Sequence, residues 1–315
     1  MKICILGAGA LGCAIGVTLK EAGHQVWLVN RGPAHVNAMR EHGLQVREAG
    51  VDRWVPVCAT TDCREIAASS GAVDLVIVLV KSFHTHEAIL SALPVVGEHT
   101  VVLSLQNGLG HEEVLADVLG RAKVIAGKTY AGGVMLAPGH IIAGTQGKET
   151  LIGELDGKLS LRIQAISDAF NQAGLVTTLR ANIMDAMWDK LLVNVATGAL
   201  SAITRLPYGE LYLVPEVEVC AIAAVAETMA VAKASGIQLE TDDPRTPWVK
   251  AAAGLPNEFK ASMLQSLENG SITEIDYING AVVRQGAICG VPTPVNRSLV
   301  ACVKGVERGL FARLK

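Results

Sequence analysis

The 315-residue chain lacks an excess of basic charge: 27 Lys and Arg stand against 30 Asp and Glu, a formal charge of −3. The electrostatic footprint of a nucleic-acid binder is therefore missing. No block of like charge suggests a solvating tail, and with 18% charged and 50% hydrophobic residues the chain is not a disordered one. Membrane-length apolar runs are also missing. The run LVIVLV at 75–80 is strand-sized, far below the roughly 20 residues a spanning helix needs. The opening MKICILGAGA has one lysine and a four-residue apolar run, too short for a secretion signal. There is no CxxC pair, and the seven cysteines are scattered and odd in number, which fits free thiols in a reducing cytoplasm rather than a disulfide framework. GxSxG is absent, so a nucleophile elbow is unsupported. His84 and His86 form HxH, but no Cys, Asp or Glu joins them at ligand spacing. They read as solvated loop histidines, and no metal is expected. Internal repeats and low-complexity segments are missing too.

What is present has the size of two domains. KICILG is a short continuous apolar run, as for a buried parallel strand. A glycine turn, a helix ending at Gly23 and the strand HQVWLVN follow. Further strands are expected at DLVIVLV, TVVLSLQNG and KVIAGKTYAGG, with helices at THEAILSAL and GHEEVLADVLG. Strands alternating with helices predict a doubly wound, mostly parallel sheet, an α/β Rossmann arrangement. The stretch 140–157 reads as a strand pair, 160–174 as a helix and LVTTL as a closing strand. Beyond about residue 180 only helical patterns remain. The expected division is 1–180 for a dinucleotide-binding domain and 181–315 for a helical substrate and catalytic domain. The alanine-rich helix around 220–234 suits a core or a subunit interface, so a homodimer is among the expected states; a membrane role is not.

Gly7, Gly9 and Gly12 spell GxGxxG directly after a strand and at the opening of a helix. The first glycine permits the turn, the second lets backbone approach a pyrophosphate, and the third lets helix and strand pack closely. Ala8, Ala10 and Leu11 complete the cofactor-binding loop, whose helix N-terminus offers N–H groups to phosphate. A site for NAD(H) usually carries Asp or Glu at the end of the second strand. Here stand Asn30 and Arg31. Arginine suits a 2′-phosphate and asparagine does not repel it, which predicts NADP(H).

The blocks GAGALG, LVKSF, SLQNGLG, WDKLLVNVATGALSAI, SMLQSLENG and TEIDYINGAVVRQGAICGVPTP follow in that order. With them the chain resembles the ketopantoate reductases (2-dehydropantoate 2-reductases) over essentially its whole length. The resemblance implies an N-terminal Rossmann domain, a C-terminal helical domain like that of 6-phosphogluconate dehydrogenase, and an active site in the cleft between them. It implies NADPH-dependent reduction of a small-molecule 2-keto acid, ketopantoate, to (R)-pantoate in pantothenate biosynthesis. By the same resemblance Lys190 is the catalytic general acid and Asn194 a substrate ligand. Ser262 holds the substrate carboxylate, and Glu274, the second catalytic residue, lies near cofactor and lysine. Lys81 and Asn107 line the cofactor, Asn107 touching substrate as well, and Gly133 is a small cofactor-lining residue. At two substrate-reading positions family members acting on ketopantoate usually carry asparagine, and here stand Gly198 and Tyr208. The glycine is expected to enlarge that wall of the pocket. A related D-2-hydroxyacid dehydrogenase acting on a bulkier 2-keto acid is therefore the alternative, and a non-catalytic NADPH-binding module a more distant one.

The residues also carry a reading of their own. Four-residue spacing puts Lys190, Asn194 and Gly198 on one helix face. There Lys190 could simply snorkel past apolar neighbours. Hydride transfer to a ketone, however, builds negative charge on oxygen, and an ammonium both stabilises and protonates it. Arginine could not give up the proton. Glu274 closes S-x-x-E from Ser271, a capping-box pattern that is compatible with a site role.

Overall fold

The computed structural model describes residues 1–313; positions 314 and 315, included in the second expected domain, lie outside the described residues. The chain forms two compact units, residues 1–106 with 111–183, and residues 107–110 with 184–315.

The first unit opens with β1 (Lys2–Leu6), α1 (Ala10–Glu21), β2 (Gln25–Val29) and α2 (Pro33–His42). A hairpin of β3 (Leu44–Glu48) and β4 (Val51–Val55) follows, then β5 (Cys58–Thr60), α3 (Cys63–Ser70) and β6 (Val73–Val78). Next come α4 (Thr85–Ala92), β7 (Val96–Ser104), α5 (His111–Leu119) and β8 (Val124–Thr129). The unit closes with β9 (Gly132–Ala137), β10 (His140–Gly144), β11 (Thr150–Glu154), α6 (Leu161–Gln172) and β12 (Thr177–Leu179).

Eight strands form one sheet in the order β12-β11-β8-β7-β6-β1-β2-β5. Every neighbouring pair is parallel except β11 with β8. The continuous apolar runs become central strands because both faces are covered. Ile3, Ile5, Leu75 and Ile77 enter the core on one face, while Cys4, Leu6, Val76 and Val78 enter the core on the other. Each of the Val, Leu and Ile side chains among them contributes about 1.5–3 kcal/mol by leaving water. This is the doubly wound α/β sheet predicted from the sequence.

A second sheet, β4-β3-β10-β9, escaped the sequence reading. Its β3–β4 hairpin turns at Ala49 (φ 48°) and Gly50 (φ 82°), the two positive φ angles of a type I′ turn. The stretch 140–157 does contain two strands, but they do not pair. β10 pairs with β3 and β9, whereas β11 pairs with β8 and β12. Sequence spacing suggested a local hairpin; strand pairing with distant partners prevailed.

In the second unit no strand occurs among the described residues. It comprises α7 (Ile183–Thr204), α8 (Tyr208–Leu211), α9 (Pro215–Ala234) and α10 (Arg245–Ala252), followed by α11 (Ser262–Glu268), α12 (Asn279–Cys289) and α13 (Pro294–Arg313). α7 stops where Arg205 takes a left-handed conformation (φ 63°) ahead of Pro207. The N-terminus of α13 is capped from α9: Glu227 accepts from Val295 N (2.8 Å) and Asn296 N (3.0 Å). The fully buried Asn296 side chain donates to Ala224 O and Glu227 Oε2 and accepts from Asn279. Among the described residues no helix is long and apolar enough to cross a membrane.

Candidate active site

In the first unit the three glycines meet three different demands. A Cβ on Gly7 (φ 106°) would stand 2.4 Å from Val80 N, and one on Gly12 would stand 2.4 Å from Gly7 O. Both contacts are impossible, so these glycines bring the turn against β6 and α1 against the turn. Gly9 is the reverse case: nothing lies within 4 Å of a Cβ built there. It caps α1, whose first turn has no acidic residue. An open glycine before a helix N-terminus free of carboxylates fits a pyrophosphate. Gly133 lies against the same loop, since a Cβ there would meet the Ala10 carbonyl carbon at 2.9 Å. A small residue is needed at 133 for β9 to lie along the start of α1.

The loop is also held from beneath. Asn30 Nδ2 donates to Ala8 O at 2.8 Å, and Asn30 Oδ1 accepts from Gly32 N at 2.8 Å. His35 Nδ1 accepts from Gly139 N (2.8 Å), which leaves its Nε2–H to donate to Ala8 O (3.1 Å). Burial lowers the His35 pKa and favours this neutral form. Neither tie is legible in the sequence, because bonds from residues 30 and 35 to a carbonyl at residue 8 leave no local signature. Arg31 is exposed, with Nη1 3.3 Å from His84 Nδ1. His84 is thus half-buried and paired rather than solvated, while His86 is exposed as expected but stands on α4 rather than in a loop. Among the described residues no group of three metal-ligating side chains exists.

Lys81 follows β6 and is bracketed by a buried polar network. Gln106 Nε2 donates to Val80 O (2.9 Å) and Thr85 Oγ1 (2.8 Å). Thr85 Oγ1 donates to Ser82 O (2.8 Å), and Ser82 Oγ pairs with His111 Nε2 (2.8 Å). The residues on either side of Lys81 are therefore fixed. Beside them lies Glu112, 3% exposed, with no well-formed hydrogen bond to either carboxyl oxygen among the described residues. Burial pushes its pKa up to about 7.

In the second unit, α7 carries Lys190, Asn194 and Gly198 on one face. Gly198 does not open the wall as expected. A Cβ there would meet Met263 Cε at 3.2 Å, so the methionine side chain occupies that space. Tyr208 is buried: its hydroxyl bonds Thr197 Oγ1 (2.9 Å) and its ring packs edge-on against Phe259. Burial raises its pKa, which the Thr197 bond partly offsets. Ser262 is exposed at the first turn of α11, beside Met263.

Asn107 belongs to this unit through its loop. Leu109 N donates to Tyr277 O (2.9 Å), and Gly108 (φ 96°) could carry no side chain, because a Cβ would stand 2.3 Å from the same oxygen. That tie brings the QNG loop to the 3₁₀ turn Ile275–Tyr277, which Glu274 caps through Tyr277 N. The expected capping box from Ser271 does not form, since no α-helix starts there. Thr273 instead receives the stabilisation: its N–H and hydroxyl both donate to buried Glu307 (2.7 Å each). Glu274 itself is buried.

Comparison with known proteins gives a consistent result. The family described as "Ketopantoate reductase PanE/ApbA" matches residues 3–157, and its C-terminal counterpart, "Ketopantoate reductase PanE/ApbA C terminal", matches residues 182–307. The 2-dehydropantoate 2-reductase of Archaeoglobus fulgidus is 33% identical over 312 residues, covering 98% of this chain and 99% of its own. A PanE/ApbA family ketopantoate reductase from Ralstonia eutropha superposes with a TM-score of 0.88 at 37% identity, covering 98% and 99%. A D-mandelate dehydrogenase solved with NADH and anilino(oxo)acetate superposes with a TM-score of 0.90 at 26% identity, covering 98% and 99%.

Proposed function

The chain belongs to the ketopantoate reductase family, and from that premise we propose that it reduces 2-dehydropantoate to (R)-pantoate with NADPH in pantothenate biosynthesis. The observation that carries this is the Lys190–Asn194 face of α7 in a chain matched by the family along both of its units. The first unit, to about residue 180, is the NADP-binding domain, and the rest is the substrate and catalytic domain. The loop from Gly7 to Gly12 takes the pyrophosphate and Arg31 the 2′-phosphate, with Lys81, Asn107, Gly133 and Glu274 completing the cofactor site. Bound NADPH supplies the hydride. Lys190 stabilises the oxygen that becomes negative as the ketone is reduced, then protonates it. Asn194, Ser262 and Asn107 hold the substrate, and Gly198 and Tyr208 stand at its specificity wall. A cytoplasmic homodimer completes the proposal.

A second reading keeps this chemistry and changes the substrate. Gly198 and Tyr208 replace the usual asparagines, and a D-mandelate dehydrogenase is among the structural relatives. Two measurements decide. The gene should rescue a pantothenate auxotroph lacking its own reductase, and the purified protein should turn over ketopantoate faster than branched or aromatic 2-keto acids. Failed rescue with faster turnover of an aromatic analogue would favour the second reading. Cofactor binding with no turnover of any 2-keto acid would leave a non-catalytic module.

A further inference from the structure

Arg31 leads away from β2 and His84 ends the turn after β6, and these two strands flank β1, which feeds the glycine loop. In a doubly wound fold the end of the second strand is where the adenosine ribose is read. The side chains meet there with Arg31 Nη1 3.3 Å from His84 Nδ1. A guanidinium nitrogen can only donate, so His84 Nδ1 is the acceptor and the imidazole is neutral. The ring is held edge-on against Phe83, with centroids 4.5 Å apart. The charged groups facing it are Arg31 from the β2 loop and Glu87 from α4, whose Oε2 is 3.9 Å from Nδ1. Burial and the neighbouring guanidinium both hold the imidazole below its ordinary pKa, against a smaller pull from Glu87.

A ribose 2′-phosphate carries up to two negative charges near neutral pH, and Arg31 matches one. The group beside it that can supply the second is His84, which needs only a proton from solvent. We propose that His84 is a proton-accepting second ligand of the ribose 2′-phosphate, becoming imidazolium when NADP(H) binds and staying neutral with NAD(H). This rests on the NADPH reading above. It makes the preference for NADP(H) over NAD(H) a function of pH, strongest below neutrality.

The test is calorimetric binding of NADP⁺ and NAD⁺ to the full chain and to His84→Asn and His84→Arg, in buffers of different ionisation enthalpy between pH 6 and 8. Wild type should take up more protons per NADP⁺ than His84→Asn; comparing the two proteins cancels the phosphate's own ionisation. Its affinity for NADP⁺ should weaken with pH more steeply than the variant's, by at most about tenfold per pH unit. NAD⁺ binding should be equal in both. His84→Arg should keep tight NADP⁺ binding and lose the extra proton uptake. Equal proton uptake in wild type and His84→Asn would overturn the proposal, as would a variant that weakens NAD⁺ and NADP⁺ alike. A wild type that binds NAD⁺ as tightly as NADP⁺ would instead overturn the cofactor reading, and this inference with it.

Discussion

Asn30 shows how one residue can serve two ends. It removes the carboxylate that would repel a 2′-phosphate, and it donates to the Ala8 carbonyl under the glycine loop. Asn30→Asp is therefore expected to do more than favour NADH. A carboxylate has no donor, so it would face the Ala8 carbonyl with like polarity and leave that oxygen with His35 as its remaining strong donor. KM should rise for both cofactors, and the free energy of unfolding should fall by about 1–3 kcal/mol. A clean switch to NADH with unchanged stability would contradict this. Lys190→Ala should lower kcat about 10²–10⁴-fold with cofactor binding intact, as direct titration would show. Glu112 gives a pH signature. Its pKa rises from the ordinary 4.5 to about 7 on folding. Between those values the folded chain keeps the proton and the unfolded chain does not, so stability falls as pH rises through that window, by about 3 kcal/mol at most. Glu112→Gln should match wild type near pH 4 and melt at higher temperature than wild type at pH 8; no gain at pH 8 would refute it. These roles were only half legible. The residue types at 30, 31 and 190 suggest the chemistry proposed for them, whereas the ties from Asn30, His35 and Gln106 are set by tertiary approach.

At the scale of elements, legibility followed burial. β1 and β6 are covered on both faces, so their apolar runs stood out. The β3–β4 hairpin did not, because half of its residues face out and include Arg47, Glu48, Asp52 and Arg53, paired across the strands at their charged ends. Its turn is an Ala-Gly rather than the usual Asn-Gly. Ser271 and Glu274 misled for a related reason. The capping-box spacing was right, but Thr273 bonded to Glu307 offers the backbone a competing arrangement, and a 3₁₀ turn replaces the helix start. The QNG loop is the element whose glycine matters most. Gly108→Ala would force an unfavourable φ of 96° and a Cβ 2.3 Å from Tyr277 O, displacing the loop that carries Asn107. The expected result is a loss of about 1–3 kcal/mol in stability together with a lower kcat. Denaturant titration and steady-state kinetics on the same preparation would check it. Unchanged kinetics in a destabilised protein would separate the loop's structural role from its site role.

For the whole molecule, the path of the chain constrains how it unfolds. The change in pattern predicts a single division near residue 180. The polypeptide, however, leaves the first unit after Gln106, runs four residues in the second and returns at His111. Those four residues fill a place that 184–315 cannot fill alone, since Leu109 N bonds Tyr277 O and Leu109 is buried. Melting the first unit would release that loop and leave Tyr277 O without its partner. The second unit would thus be weakened whenever the first unfolds. Cofactor binding to the folded state stabilises it by mass action, about 2.7 kcal/mol at a hundredfold excess over Kd. Because the units share a chain crossing, the gain should reach both. Differential scanning calorimetry of the intact chain should show one transition that moves upward as a whole with NADPH. A second transition that stays fixed while the first moves would mean the crossing does not couple the units. The fragment 184–315, lacking 107–110, should melt below the intact chain or fail to fold. Adding the fragment 1–183 should restore its transition, because that piece brings the missing four residues.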